Sequence, residues 1–347
     1  MAFPSFSNYF LGSSPLWQVI GRFCQSKNGY YLSIIGTVVG GGYLWYRFSR
    51  KLTWINRLWL GDAWYSEVSP CWPGQAFSLT VEKILYKGTS DFQECLCFEN
   101  EIFGRVLVLD GAIQCTERDE CAYHEVMVNL ALNCHPHPKN VLVVGGGDGG
   151  TVREICRHED VERVDVCELD EMVIRISQAY LPEISKGLED PRVRIIIEDG
   201  FTFVRDHPKQ YDVIFVDSSD PVGPAKILFT NNFYKALHNA LGEDGIAITQ
   251  AECMWLHFPI IKQIFNAALT YFAYVDYAHI SVPTYPCGSI GFACCSKKYS
   301  CQEPQKEMAP TLSDQMKYYS INIHRACFVL PQFLQKKIDS IRSQRDE

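Results

Sequence analysis

The first 61 residues of this 347-residue chain contain no aspartate or glutamate, although the whole chain carries 40 acidic and 32 basic side chains and a net charge of −8. Six lysines and arginines lie in that stretch, so the remaining 286 residues have a net charge of −14. Phosphate backbones would repel an anionic body of this kind. The charge distribution therefore argues against nucleic acid as a partner and favours small cationic ligands.

The sequence also lacks the cysteine spacing of a metal site. Its 15 cysteines are odd in number and scattered, and no two form a CxxC pair of the zinc or thioredoxin-like type. The pairs Cys95/Cys97 and Cys294/Cys295 lie in apolar stretches, where free thiols behave as small hydrophobic groups. We expect free thiols in a reducing compartment, and no bound metal.

The longest apolar segment of the N-terminal extension is only marginally long enough to cross a membrane. Residues 30–46 carry no charge, and an extension to residue 48 adds only Arg47, whereas a spanning helix needs about 20 apolar residues. Aromatic residues at both ends and basic residues after it favour a membrane segment at 30–48 with the body in the cytoplasm. An organelle transit peptide remains an alternative, as does a loose appendage, because three consecutive glycines at 40–42 weaken a helix.

The pattern after residue 61 predicts two kinds of sheet. Residues 77–86, 95–103 and 104–115 alternate as short strands, with a hairpin turn at Asp110-Gly111, and a helix with an acidic first turn follows from Glu117. Apolar runs then alternate with helix-length segments, at 141–147, 161–170, 192–200, 211–220 and 245–250. We expect an α/β fold in which an antiparallel β domain (62–120) precedes a Rossmann-like, parallel, doubly wound domain with a C-terminal helix (121–347), after the basic extension 1–61.

A glycine-rich loop at 145–150, GGGDGG, follows the first buried run and matches the GxGxxG pattern of nucleotide sites. Glu168 lies 23 positions past Gly145, where a ribose-binding acid is expected. Asp148 inside the loop would repel a pyrophosphate, which needs bare N–H donors. The glycines and Glu168 would also suit a nicotinamide-dependent dehydrogenase, but Asp148 argues against one. The loop instead predicts a nucleoside ligand that carries a positive charge.

Further acids follow the next strands. Asp199-Gly200 is placed to meet an adenine amino group, and the proline-stiffened loop 217–224 carries Asp217 and Asp220. An Asx turn or a helix cap explains one of these aspartates more easily than both. Because the carboxyl ends of parallel strands share one edge, five acids would meet there and repel one another without cationic ligands.

Several long motifs now identify a resemblance. From about Asp62 to the C-terminus the chain closely resembles the spermidine synthases of the polyamine aminopropyltransferase family in WYSE (64–67), CWPGQAFSLTVEKIL (71–85), VLVLDGAIQCTERDE (106–120), YHE (123–125), GGGDGG, DSSDPVGPA (217–225), QAECMWL (250–256) and PTYPCGSIGF (283–292). The resemblance implies the two-domain fold above, a homodimer, and transfer of an aminopropyl group from decarboxylated S-adenosylmethionine to putrescine, giving spermidine and methylthioadenosine. The donor is consumed as a co-substrate, so no separate cofactor is implied.

The resemblance also implies roles for individual residues. Asp148 would bind the donor's ammonium, Glu168 its ribose and Asp199 its adenine, within a donor site comprising Gln93, Asp148, Glu168, Asp199, Gly200 and Pro224. Asp217 would orient and deprotonate the attacking amine beside Tyr123, within a putrescine site comprising Trp72, Tyr123, Asp217, Asp220, Gln250 and Tyr285. Core packing is the alternative for Trp72. His124 is the helical neighbour of Tyr123, so we expect it to point elsewhere, and a direct role stays open.

Two other activities and one non-catalytic role remain as alternatives. Spermine synthase is the nearest, although the paired aspartates of DSSDP favour a diamine acceptor. Putrescine N-methyltransferase shares much of the scaffold and would use ordinary S-adenosylmethionine. A catalytically silent, membrane-held binding protein is the third, and the presence of every expected acid argues against it.

Overall fold

The computed structural model describes residues 64–221, 223–306 and 308–344. By their contacts, residues 63–347 form one compact unit. The segment 30–48, for which we predict membrane contact, lies outside the described residues. Within the described ranges, no helix combines the length and apolar character needed to cross a bilayer.

Two antiparallel sheets form the N-terminal part of this unit. Strands β1 (Trp64–Glu67) and β2 (Phe77–Thr80) pair, and β3 (Lys83–Thr89), β4 (Glu94–Asn100), β5 (Gly104–Leu109) and β6 (Ala112–Thr116) form a four-stranded sheet. The predicted strand 77–86 is therefore two strands belonging to different sheets. The predicted hairpin turn is confirmed, with φ of 48° at Asp110 and 84° at Gly111.

The larger sheet has the order β12-β13-β11-β10-β7-β8-β9. Its strands are β7 (Asn140–Gly145), β8 (Arg163–Glu168), β9 (Val193–Ile197), β10 (Tyr211–Asp217), β11 (Leu241–Gln250), β12 (Tyr274–Ser281) and β13 (Ser289–Ser296). Strands β7 to β11 are parallel, as expected, whereas β12 and β13 form an antiparallel hairpin beside β11. The sheet is thus mixed and Rossmann-like, with an antiparallel edge that the parallel pattern did not predict.

Helices connect and cover these strands. They are α1 (Glu120–Leu132), α2 (Gly150–Cys156), α3 (Glu171–Tyr180), α4 (Pro182–Ser185), α5 (Gly200–Asp206), α6 (Asn231–Ala240), α7 (Phe258–Leu269), α8 (Pro310–Ser313), α9 (Ile321–Ala326) and α10 (Gln332–Ser343). The predicted C-terminal helix is α10. The predicted acidic first turn at Glu117 lies before α1, which begins at Glu120.

Each face of the large sheet has its own apolar core. Alternate residues of one strand point to opposite faces, so Val143 and Phe215 pack in one core while Leu142 and Ile214 pack in the other. Burial on both faces explains why these strands read as continuous apolar runs. The cysteines of the described ranges are free thiols, and most are buried. The candidate site lies at the carboxyl edge of this sheet.

Candidate active site

The glycine-rich loop joins β7 to α2 and packs tightly against the end of β10. Gly145 has a φ of 82°, and a Cβ at this position would collide with the backbone carbonyl of Asp217. The N–H of Gly146 donates to that same carbonyl oxygen at 2.9 Å. The glycines therefore bring Asp148 and Asp217, which lie 69 positions apart in the sequence, to one end of the sheet.

Asp148 is held by its own loop and by His124. Its Oδ1 accepts a hydrogen bond from the Gly150 N–H at 2.7 Å, and its Oδ2 lies 3.5 Å from His124 Nε2. Burial raises the pKa of the Asp148 carboxyl, but the charge and hydrogen bond of His124 outweigh burial and lower it. On its other side, His124 Nδ1 donates to Glu120 at 2.7 Å. The result is a partly buried, ionised carboxylate.

The expectation that His124 points away from the site is wrong. Consecutive helical side chains do diverge, and the rings of Tyr123 and His124 are nearly perpendicular, at 88°. The glycine-rich loop wraps over this part of α1, however, and a Cβ at Gly150 would collide with the His124 ring. Both residues therefore line the same cavity.

Three predicted donor-site residues lie at the ends of neighbouring strands or beside them. Glu168 ends β8, and its Oε1 accepts the Asp170 N–H at 2.9 Å; burial raises the pKa of Glu168 to about 7. Asp199 caps α5, with its Oδ1 accepting from the Thr202 N–H at 2.8 Å, so one of its oxygens already has a structural partner. Gln93 donates to Asp170 at 2.9 Å, which turns it toward the same end of the cavity.

Asp217 is the residue on which the predicted chemistry depends, and it ends β10. Its Oδ2 accepts from the Thr151 hydroxyl at 2.6 Å. The Tyr123 hydroxyl lies near enough for Asp217 to raise the pKa of that tyrosine, after the larger effect of burial. Burial and the nearby Asp148 charge raise the pKa of Asp217. His124, Asp148 and Asp217 present ligand atoms that lie within 4.8 Å of one another, a spacing that suits a small cationic group.

A second group of acids lies at the far end of the cavity. Asp220 accepts a hydrogen bond from Gln250 at 3.3 Å, and burial followed by the charge of Glu252 raises its pKa to about 7. Burial also raises the pKa of Glu67 to about 8. Glu252 pairs with His257 at 2.5 Å between Oε2 and Nδ1. We call Glu67, Asp220 and Glu252 the distal acids.

One cavity of about 300 Å³ joins both groups. Its described lining contains no lysine or arginine, and His124 and His257 are its basic residues. All predicted site residues lie along it: Trp72, Gln93, Tyr123, His124, Asp148, Glu168, Asp199, Gly200, Asp217, Asp220, Pro224, Gln250 and Tyr285. The volume is at the small end of the range for small-molecule sites.

Two aromatic residues form the walls of this cavity. Trp72 is only 4% exposed, so it both packs and lines the cavity. The Tyr285 hydroxyl donates to the Gln114 carbonyl at 2.6 Å, which leaves its ring, edge-on to Tyr123 at 6.0 Å, as the wall.

Sequence reasoning missed Glu67, Glu252 and His257. The first two lie in motifs that carried the resemblance, WYSE and QAECMWL, but nothing in their spacing singles them out. Glu252 has a φ of 65°, unusual for a residue other than glycine, and this conformation is visible only in the structure.

Comparison with known proteins agrees with this geometry. The family model described as spermine/spermidine synthase domain matches residues 120–307, and the one described as spermidine synthase tetramerisation domain matches 63–117. Spermidine synthase of Schizosaccharomyces pombe is 49% identical over 285 residues, covering 81% of this chain and 96% of the relative. That of Dictyostelium discoideum is 48% identical, covering 80% and 98%.

A solved structure gives the same result for the fold. Spermidine synthase in complex with the transition state analogue AdoDATO superposes with a TM-score of 0.75 at 35% identity, covering 80% of this chain and 96% of that one. The matches span both the N-terminal strands and the large sheet. The chain belongs to the spermine/spermidine synthase family.

Proposed function

We propose that this enzyme transfers the aminopropyl group of decarboxylated S-adenosylmethionine to putrescine, giving spermidine and methylthioadenosine. The observation that carries the proposal is a partly buried carboxylate, Asp148, inside a glycine-rich nucleotide loop and beside a second carboxylate, Asp217. The donor carries a sulfonium and an ammonium, and putrescine carries two ammoniums. A cavity lined by acids at both ends fits these four charges.

The donor occupies the end near Glu168. Glu168 accepts from the ribose hydroxyls, and the free carboxylate oxygen of Asp199 meets the adenine amino group, with Gly200 and Pro224 beside the ring. Asp148 binds the aminopropyl ammonium and Gln93 lies along the chain. Ordinary S-adenosylmethionine would place its own carboxylate against Asp148, so the site selects its donor partly by repulsion.

The acceptor lies between Asp217 and the distal acids. Trp72, Gln250 and Tyr285 wall this part of the cavity, and Asp220 with Glu67 and Glu252 binds the distal ammonium. Asp217, supported by Tyr123 and Thr151, takes one proton from the attacking ammonium. At pH 7 this deprotonation of an amine of pKa about 10 costs about 4 kcal/mol, which a positioned base reduces.

The chemical step is a displacement at the carbon next to sulfur. The nitrogen lone pair forms the new C–N bond while the C–S bond breaks, and the electron pair of that bond neutralises the sulfonium. The leaving group is a neutral thioether, so it needs no proton. We propose that no further cofactor takes part, because the donor supplies the activated carbon itself.

Mass spectrometry of the products tests the proposal. Purified full-length chain is incubated with putrescine and either decarboxylated or ordinary S-adenosylmethionine, and with spermidine as an alternative acceptor. We expect spermidine and methylthioadenosine. Methylputrescine with S-adenosylhomocysteine would indicate putrescine N-methyltransferase activity. Spermine would indicate spermine synthase activity.

Assembly and location are part of the proposal. We propose an oligomer of identical subunits, a homodimer as the basic unit, which size-exclusion chromatography with light scattering measures directly. We also propose that the catalytic body is cytoplasmic and that residues 30–48 contact a membrane, because basic residues follow that segment. Release of the full-length chain by alkaline carbonate would refute the membrane contact.

A further inference from the structure

His257 lies just before α7 and is 8% exposed. Its Nε2 donates to the backbone carbonyl of Cys71 at 2.8 Å, and its Nδ1 lies 2.5 Å from Glu252 Oε2. The Nδ1 contact is an ion pair by distance, and within the described residues it does not meet hydrogen-bond geometry. The Cys71 carbonyl accepts the Nε2 proton, and an unprotonated Nδ1 would repel a carboxylate oxygen 2.5 Å away, so both ring nitrogens carry protons in this arrangement. His257 is therefore positioned as an imidazolium between two groups of the cavity wall.

The first of these groups is Glu252, whose main chain is fixed. Its carbonyl oxygen accepts from the Gly291 N–H at 3.0 Å and from the Tyr277 hydroxyl at 2.7 Å, which holds the φ of 65°. Within the described part of the chain, its Oε1 is buried and has no hydrogen-bond partner. With Oε2 paired to His257, Oε1 is the oxygen left for a ligand in the cavity.

The second group is the segment that carries Trp72. Cys71 immediately precedes Trp72, which is buried and lines the same end of the cavity. A single ring thus connects the loop after β11, which supplies Glu252, to the loop between β1 and β2, which supplies the aromatic wall.

The charge of His257 matters because the distal acids lie close together. Glu252 raises the pKa of Asp220 and His257 lowers it, after the larger effect of burial. Burial is the largest effect and lowers the pKa of His257, but the contact with Glu252, the Cys71 carbonyl and the charge of Asp220 together outweigh burial and raise it. Without the charge of His257, Asp220 would take up a proton more readily and would attract an ammonium less strongly.

We propose that His257 is a positioning residue for the acceptor: it orients Glu252 toward the distal ammonium of the diamine, supplies a counter-charge that favours the ionised form of Asp220, and fixes the Trp72 wall. The inference rests on the proposed function, because it assigns the diamine to this end of the cavity.

Two substitutions separate the two contacts of the ring. The amide nitrogen of glutamine reaches about as far as Nε2, so His257→Gln keeps the bond to Cys71 and loses Glu252. The amide nitrogen of asparagine reaches about as far as Nδ1, so His257→Asn keeps the contact with Glu252 and loses the hydrogen bond to the Cys71 carbonyl. We expect His257→Gln to raise the KM for putrescine at least about tenfold, and His257→Asn to raise it less. The Kd of methylthioadenosine, which reports the donor end, should stay within about twofold.

A double-mutant cycle with Glu252→Gln is the decisive measurement. If His257 acts through Glu252, His257→Gln should have little further effect on putrescine KM in the Glu252→Gln background. His158→Gln is the matched control, because His158 is also buried but bonds to Asn129, away from the cavity. It should lower the melting temperature without changing putrescine KM.

A folded His257→Gln variant with unchanged putrescine KM would overturn the proposal, and so would full additivity in the cycle. If that variant does not fold, the same cycle is measured with His257→Ala, which removes both contacts of the ring, and full additivity with Glu252→Gln would again overturn the proposal. Putrescine binding is also followed by calorimetry without turnover. A wild-type chain that binds putrescine but forms no spermidine would therefore refute the proposed reaction and leave the role of His257 testable.

Discussion

Replacing Glu168 with glutamine should stabilise the ligand-free protein at neutral pH. Burial raises the pKa of this carboxyl from 4.5 to about 7 in the folded chain. A carboxyl that binds its proton more tightly when folded disfavours the fold once it ionises. The cost begins as the pH rises past 4.5, grows until about 7, and is constant above that value. Glutamine does not ionise and escapes this cost.

The size of the change in stability follows from the difference between the two pKa values of Glu168, 4.5 and about 7. At about 1.36 kcal/mol for each pKa unit, ionisation of Glu168 lowers the free energy of unfolding by about 3 kcal/mol at pH 8. This is an upper bound, since the cavity side of the carboxylate can meet water. The amide also changes the hydrogen bond to the Asp170 N–H, which is 2.9 Å long in the wild type. That change does not depend on pH, so it cancels when two pH values are compared.

Urea unfolding at a series of pH values from 5 to 8 measures the effect. The unfolding free energy of Glu168→Gln minus that of the wild type should increase by up to about 2.5 kcal/mol across this range, because part of the cost is already present at pH 5. Glu171→Gln is the control, because Glu171 is exposed on α3 and pairs with Arg175 on the surface; its difference from the wild type should stay nearly flat. The same Glu168 variant should bind methylthioadenosine more weakly, since the ribose loses a carboxylate acceptor.

If the unfolding free energies of Glu168→Gln and the wild type changed with pH by the same amount, this reasoning would be refuted. They would mean that water reaches the carboxylate freely and that burial does not control its ionisation. A pH-dependent gain in stability together with unchanged methylthioadenosine affinity would support the burial argument but contradict the ribose-binding role of Glu168.

Three further predictions concern catalysis and charge. Asp217→Asn should lower kcat by about 10²- to 10⁴-fold with methylthioadenosine affinity retained, and near-normal turnover would remove Asp217 from the mechanism. Asp148→Asn should reduce the preference for decarboxylated over ordinary S-adenosylmethionine, measured as the ratio of their affinities, because the repulsion of the second carboxylate is lost; an unchanged ratio would contradict this. For the wild type, kcat/KM for putrescine should fall as salt concentration rises, since counterions screen the acidic cavity, and a flat profile would exclude electrostatic steering.

The parts of the fold with strong local signals could be predicted. The buried runs of β7 and β10 and the turn at Asp110-Gly111 read correctly because apolar periodicity and turn chemistry are properties of neighbouring residues. The antiparallel hairpin of β12 and β13 was not predicted, because pairing direction depends on partners distant in the sequence. The split of residues 77–86 into strands of two sheets has the same cause.

The site residues that could be predicted are those that lie in short segments with several reactive or charged side chains. Asp148 is unusual within its own loop, and Asp217 with Asp220 is unusual within another. His124 was placed wrongly, because helical geometry alone does not reveal that the glycine-rich loop wraps over its ring. His257 carried no local signal, because its two contacts are with Cys71 and Glu252, which only the folded chain brings together.

The sequence by itself determined the type of chemistry: an anionic body, a nucleotide loop that carries a carboxylate, and paired aspartates after a buried strand. Those are statements about composition and neighbouring residues, which physical chemistry can interpret without coordinates. The tertiary structure decided which acids share a cavity, which of them are ionised, and which basic groups face them. Burial and distance set those properties, and both arise only when segments far apart in the sequence pack together.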